Sequence, residues 1–315
     1  MAALTTAQVA TGLTSTQVGV LSSGQVAALS FAQVKAMTTD EMSALTTANV
    51  VGLTVIAVSA LSSDQVAALS TAAFGKLGSA QIGVLSTAAI VGLSAAEVAA
   101  QISSFRPAQI VAVGTDVISG LTTAQVTGLS TATVAALTTA QVATGLTSTQ
   151  VGVLSSGQVA ALSAGQATAL TTDEMSALTT ANVVGLTTAA VAALASDQVA
   201  ALSSADILHM STHQLVALTP QAISALTSGE IQAIGSAVLS ALSTAQFAAI
   251  TSDAIVGLTA SEVTNLTTKE IAAFTTDQIN ALTPTAIGGL TPTQTNAFTN
   301  TQIADMTDAQ RNAIF

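Results

Sequence analysis

Residues Leu146–Ala169 read LTSTQVGV, LSSGQVAA, LSAGQATA: three units of eight, each opening on Leu and a hydroxyl residue with Gln in fifth place. The spacing extends both ways. Large apolar residues recur eight apart from Leu13 through Leu93, again from Phe105 to Leu137, and from Leu146 to Met306. Counted from Leu4, the chain holds 38 octads with the consensus L-[TS]-[TS]-A-Q-V-A-A, Gly often replacing the last Ala. The register slips three times: by one residue near Gly12, by one near Gly145, and by four at Gln101–Ser104. No segment departs in composition, so residues 1–315 read as a single repeat domain. Residues 4–72 and 137–205 match at all but ten positions, which points to duplication of a sixteen-octad block. Such copying is tolerated where each unit touches only its neighbours.

Numbering the octad from its Leu, position 2 is Ser or Thr and position 5 is commonly Gln, Glu or Asn. That is the spacing of a capping box, in which the hydroxyl accepts from the N3 amide and the N3 side chain returns to the N-cap amide. Position 1 and the Val or Ile at position 6 then form the hydrophobic staple. Two features test this register independently. Pro107, Pro220, Pro284 and Pro292 all stand at position 3, the first helical residue, where proline forfeits no hydrogen bond. Fifteen of the sixteen acidic residues lie at positions 3 to 5, Asp305 excepted, where the helix dipole favours them. Lys35 and Lys76 fall at positions 7 and 8, the end suited to a cation.

Only about five or six helical residues fit before the next cap, far fewer than an isolated helix needs. A strand reading competes, because eight is a multiple of two. It fails because alternation is absent, Ala and Gln abound, and a fixed mid-unit proline would remove ladder donors. The expected fold is therefore all-α: an α-solenoid of about 38 very short capped helices in a single elongated superhelix. Leu at position 1, Val or Ile at 6 and Ala at 8 are expected to fill its interior.

Composition narrows the function classes. Half the residues are hydrophobic, 7% are charged, and the net charge is −11. Disordered chains show the reverse balance. Five basic residues cannot form a nucleic-acid footprint, and the absence of cysteine excludes disulfides and thiolate metal sites. Ser or Thr interrupts every apolar run before the 18–20 residues of a membrane span. The opening MAALTTAQVA lacks the basic and long apolar regions of a cleaved signal peptide.

The chemistry-bearing residues are sparse, and neither a cofactor nor a metal is expected. His209 and His213, with Asp206 nearby, have the i, i+4 spacing of a metal pair. A corner falls between them, so surface histidines are the expected reading. The adjacent carboxylates Asp40–Glu41 and Asp173–Glu174 fit the dipole-favoured first turn better than acid–base work. No serine has a histidine partner or a G-x-S-x-G elbow. The glycines at octad ends, among them Gly52, Gly92, Gly120, Gly185 and Gly257, suit corners after a helix.

Departures from the repeat mark candidate contacts between copies. Phe31 replaces a hydroxyl residue at position 3 and is expected to point outward; its duplicate is Ala164. Phe105 and Arg106 follow the four-residue insertion, expected as a bulge on one rim or else a tolerated irregularity. Met1, Leu4, Ile314 and Phe315 stand at ends without polar capping repeats, as expected of open stacking edges. Contact between unlike ends is heterologous and can propagate into a filament.

The octads LTTAQVAT, LSSGQVAA, LTTANVVG and LSSDQVAA resemble the L-[ST]-x-x-Q-[VI]-x-A tracts of large, repetitive, adhesin-like surface or secreted proteins of Gram-negative bacteria. The resemblance covers essentially the whole chain and transfers no catalytic residue. It implies an extracellular or cell-surface location and one-step export with an uncleaved C-terminal signal. The expected function is non-enzymatic: the subunit of an extracellular filament or sheath whose partner is itself, with cell-surface or matrix components beside it. The alternative is a spacer or adhesin stalk, or an ice- or glycan-binding array built on exposed Thr at positions 2 and 3.

Overall fold

The computed structural model describes residues 1–314, and all regular structure among them is helical. The helices are short, from four residues at Pro284–Ile287 to seven at Ala95–Gln101. A longer segment, Ser228–Leu239, is broken at Gly235, whose φ of 75° is the only positive value among the described residues. The chain gathers into two compact units, Met1–Gln150 and Val151–Phe315, built from the same octads.

Within an octad the local chemistry is as the sequence dictates. In the Leu21 octad, Ser22 accepts from the Gln25 amide while Gln25 Oε1 accepts from the Ser22 amide at 2.8 Å. The four prolines each occupy the first helical residue. The helix then ends with the amide of the next position 1 donating to the position-6 carbonyl, as from Leu29 to Val26 at 3.0 Å. Position 1 itself is extended, with φ −60° and ψ 139° at Met37, and turns the chain into the next cap.

Packing winds these corners into turns. In unit 1 the helix Ser63–Ala67 packs on Thr87–Ile90, three octads on; in unit 2 Ser252–Ile255 packs likewise on Thr276–Ala281. Hydrogen bonds between turns span 28 and 31 residues, so a turn closes every three to four octads. Leu at position 1 and Val or Ile at position 6 are buried, as Leu61 and Val66 illustrate. The third interior place belongs to position 5 rather than to Ala at position 8. Gln65 is buried, whereas Ala44, Ala60 and Ala68 remain half-buried.

The slips have simple structural forms. The extra residue near Gly12 and near Gly145 is absorbed as a π turn, Gln8–Gly12 and Gln141–Gly145. The segment at 101–104 is not a bulge. It makes a 3-10 turn, Ile102–Ser104, with Ile102 buried in the core. Hydrogen bonds across it span 24 and 27 residues instead of 28 and 31. The four residues therefore stand in for a whole octad, and that turn is four residues shorter.

Five octad-end glycines have a reason other than a left-handed corner. A Cβ on Gly52 would lie 2.0 Å from the Ser23 carbonyl oxygen; on Gly92, Gly185 and Gly257 it would lie 2.1–2.2 Å from the carbonyls of Ser63, Ser156 and Ser228. On Gly289 it would lie 2.7 Å from the Ala260 Cβ. All five belong to octads whose position 5 is short: Asn49, Ala89, Asn182, Ala254 and Ala286. At these five octads neighbouring turns close up until only glycine fits, whereas the octads with Ala57, Ala73, Ala190 and Ala222 in that place end on Ala60, Lys76, Ala193 and Ala225. Gly120 is different, meeting only carbonyls of its own helix at ordinary distance.

Candidate functional site

The most developed polar arrangement is a ladder of position-5 side chains through the interior. Gln278 is representative. Its Oε1 accepts from the Thr275 amide at 2.9 Å, closing the local capping box. Its Nε2 donates to the carbonyls of Phe247 at 3.0 Å and Ile250 at 2.6 Å on the preceding turn. Those are position 6, whose carbonyl also accepts from the Ile250 amide, and the next position 1, which lies beyond the helix end. Gln65, Gln198, Gln214, Gln294, Gln302 and Gln310 repeat the pattern. Each of these octads thus caps its own N-terminus with one end of an amide and a helix C-terminus on the preceding turn with the other.

The capping-box reading accounted for only half of this side chain. A signal for the other half stands in the sequence. Gln81, Gln109 and Gln198 are kept in octads whose position 2 is Gly78, Arg106 or Ala195, with no hydroxyl to reciprocate.

The carboxylates divide by burial. Asp40 and Asp173 are exposed while Glu41 and Glu174 are buried, so neither pair converges on a common point. Desolvation raises the Glu174 carboxyl above the ordinary range, and exposed Asp173 adds to it; hydrogen bonds from Thr171 partly oppose this. Burial likewise raises Glu270 against hydrogen bonds from Thr267. Glu41 has one buried oxygen, Oε1, without a hydrogen-bond partner.

Asp206 is turned inward and caps with Ser203, while His209 and His213 are exposed and His209 Nδ1 pairs with the Ala205 carbonyl at 2.7 Å. No group of three or more His, Asp or Glu side chains able to hold a metal occurs among the described residues. Nor is any described helix long and apolar enough to cross a membrane.

The candidate contact residues are dispersed. Phe31 lies outward, 44% exposed, at the first residue of its helix. Phe105 is buried in the position-1 slot, because the residue after the short turn must fill the core, and offers no surface. Arg106 is exposed at an N-cap, with its amide on Gln109 Oε1. Met1 and Leu4 are half-buried, and both carbonyls accept from Gln33. Ile314 is half-buried, and Phe315 lies outside the described residues. Exposed apolar side chains recur at position 7, as at Val51, Val91, Val184, Leu208 and Val256.

The clefts are features of the repeat. One of about 490 Å³ lies between Leu242–Thr244 and Thr267–Glu270. Equivalent clefts of about 460 Å³ lie between Leu170–Thr172 and Gln198, and between Leu53–Val55 and Gln81. Each sits where a position-1 corner meets a position-5 side chain of the following turn.

The family-model comparison agrees with a repeat architecture. No curated protein matches the chain. Among solved structures, a leucine-rich repeat-containing protein, LegL7 of Legionella pneumophila, aligns over 86% of this chain and 79% of its own at 9% identity, with a TM-score of 0.16. The family model for the ALTTAQ repeat matches residues 23–55, 34–71, 58–95, 168–204, 199–236 and 223–260. These tracts together take in more than half of the chain, which belongs to the ALTTAQ repeat family.

Proposed function

We propose that the chain is a structural, non-enzymatic subunit of an extracellular filament or sheath, assembled by stacking turn on turn between copies and by lateral packing. The supporting observation is the polarity of each turn. One edge carries amide donors at position 5, and the other carries paired carbonyls at positions 6 and 1. Such edges are complementary to each other but not to themselves, so contact between them is heterologous and open-ended. The thinly charged Ala, Ser and Thr surface suits close lateral packing with itself or with cell-surface and matrix material. Placement outside the cell rests on the resemblance of the octads to tracts of exported proteins.

A Thr-array binding role has less support. Position-2 hydroxyls are engaged with backbone amides, as Thr275 is with Gln278, leaving mainly position 3 as an outward row. The test is assembly of the purified 315-residue chain, followed by light scattering and negative-stain microscopy over rising concentration. Filaments are expected, and replacing the exposed Gln8, Gln17 and Gln25 by Glu, which keeps the capping oxygen and removes the amide donors, should reduce them while leaving helicity intact. A chain that stays monomeric at high concentration refutes the proposal.

A further inference from the structure

We infer, on the basis of the filament assembly just proposed, that Arg311 and Asp308 form a built-in cap that restrains stacking. The arginine takes the donor place that a position-5 amide of a second copy would fill, so it must leave before the acceptor edge is fully open. The sequence already sets this residue apart. Arg311 stands at position 6 of the octad that begins at Met306, and it is the only charged residue at position 6 in the 38 octads. On the turn before it that place holds the buried Ile271, Ile279 and Ile287. A guanidinium cannot stay in such an interior without partners. Its side chain is instead 38% exposed and its head turns to main-chain oxygens. Nη1 donates to the Met306 carbonyl at 2.5 Å and reaches the Ile303 carbonyl at 3.5 Å, while Nη2 donates to Asp308 Oδ1 at 2.5 Å.

Those two carbonyls belong to position 6 and the next position 1, the pair that a bridging glutamine takes from the following turn. Gln302 donates to Ile271 and Phe274, and Gln310 to Ile279 and Leu282. The next pairs in register are Ile287 with Leu290 and Thr295 with Phe298; among the described residues no side chain donates to either. The pair after them, Ile303 with Met306, is held by Arg311. Arg311 thus supplies from its own octad what elsewhere comes from another turn.

The matching donors lie on the opposite edge. Gln8, Gln17 and Gln25 are exposed; their Oε1 atoms accept in their own caps at 2.9, 2.9 and 2.8 Å, and their Nε2 groups have no acceptor among the described residues. Gln33 is the first glutamine along the chain whose Nε2 reaches a preceding turn. Three unused amides, set against two open carbonyl pairs and one closed pair, fit a second copy of this chain as the occupant. Asp308 is 92% exposed, so its ion pair with Arg311 is weak and screened by salt, and the cap can open.

The experiment uses the full chain and has two readouts. Arg106 and Arg311 are its only arginines, so isotope-labelled arginine gives two guanidinium groups in NMR spectra, assigned with R311V. At a concentration below assembly the Arg311 Nη protons should be resolved and slow to exchange, those of exposed Arg106 averaged, and D308A should shift the Arg311 signals toward averaging. The second readout is the onset of light scattering with concentration for the parent, R311V, and R311V combined with Gln8→Glu, Gln17→Glu and Gln25→Glu. R311V places the consensus residue at position 6 and frees two carbonyls; two regained hydrogen bonds should lower the onset at least about fivefold. The combined variant keeps the capping oxygens but lacks the donors, and should lose that gain. A gain that survives there is apolar aggregation and overturns the inference. So does a parent that assembles with the same onset as R311V, which leaves the filament proposal standing, or an Arg311 signal as averaged as that of Arg106. A parent that stays monomeric while R311V assembles supports the cap and refutes filament formation by the parent. If neither assembles, the filament proposal fails and the restraint on stacking fails with it.

Discussion

Replacing Gly52 by Ala should push apart a pair of turns that the short Asn49 side chain holds close. The added Cβ would stand 2.0 Å from the Ser23 carbonyl oxygen, so the turns must separate locally by more than 1 Å to reach ordinary contact. Asn49 Nδ2 already reaches the Val18 and Leu21 carbonyls at 3.1 and 3.2 Å, and that separation breaks both bonds. Overpacking costs about 1–3 kcal/mol. Each of the two lost hydrogen bonds adds about 0.5–1.5 kcal/mol, so G52A should destabilise by roughly 2–6 kcal/mol.

Asn49→Gln alone forces a longer side chain into the same narrow gap and should cost about 1–3 kcal/mol. In the double variant the extra methylene, about 1.5 Å of chain, spans the widened gap and restores the rung. The two changes should therefore offset each other by about 1.5–3 kcal/mol in a double-mutant cycle of urea unfolding. A double variant that loses the sum of the two singles refutes the idea that position 5 sets the spacing of turns. Asn182 and Gly185, where the Cβ would meet Ser156 at 2.1 Å, repeat the test in the other unit.

Gln278→Ala strips the partner from the Ile250 carbonyl and opens the capping box at Thr275; unfolding should show a loss of about 2–4 kcal/mol. Thr275→Ala removes only the hydroxyl cap of the Gln278 amide and should cost about 1 kcal/mol by the same assay. Thr276→Pro places proline at the first helical residue after an extended Thr275, φ −73° and ψ 162°. It should leave the thermal midpoint unchanged or raise it, by up to about 1 kcal/mol in stability. Phe247 and Phe274 meet edge-on at 5.0 Å and 75°, so Phe274→Leu should lose about 0.5–1.5 kcal/mol beyond its change in buried area.

The local half of this architecture was legible in the chain. Eight-residue spacing, prolines confined to position 3 and acids, Asp305 excepted, confined to the first turn leave only a row of capped helix starts. These signals are local: a hydroxyl, an amide and a proline act within four residues of one another, and four residues are visible in any octad. The core at positions 1 and 6 followed from the same spacing.

What lies between turns was not legible. Gln65 and the carbonyls of Val34 and Met37 are 31 and 28 residues apart, and no local rule pairs them. The capping box explained every position-5 glutamine well enough to conceal its second bond, and Ala at position 8 was assigned an interior place that glutamine holds. Gly52 and Gly185 read as corner residues because their reason, a carbonyl on another turn, is absent from their own octads. Phe105 and Arg106 read as a rim feature because a four-residue remainder looks like an insertion until the turn that contains it is counted.

The sequence by itself determined that this chain is a capped helical repeat, since caps and proline positions depend on covalent neighbours. Only the tertiary structure decided how many octads close a turn and which side chains bridge turns. Those depend on distances between residues the chain brings together only by winding.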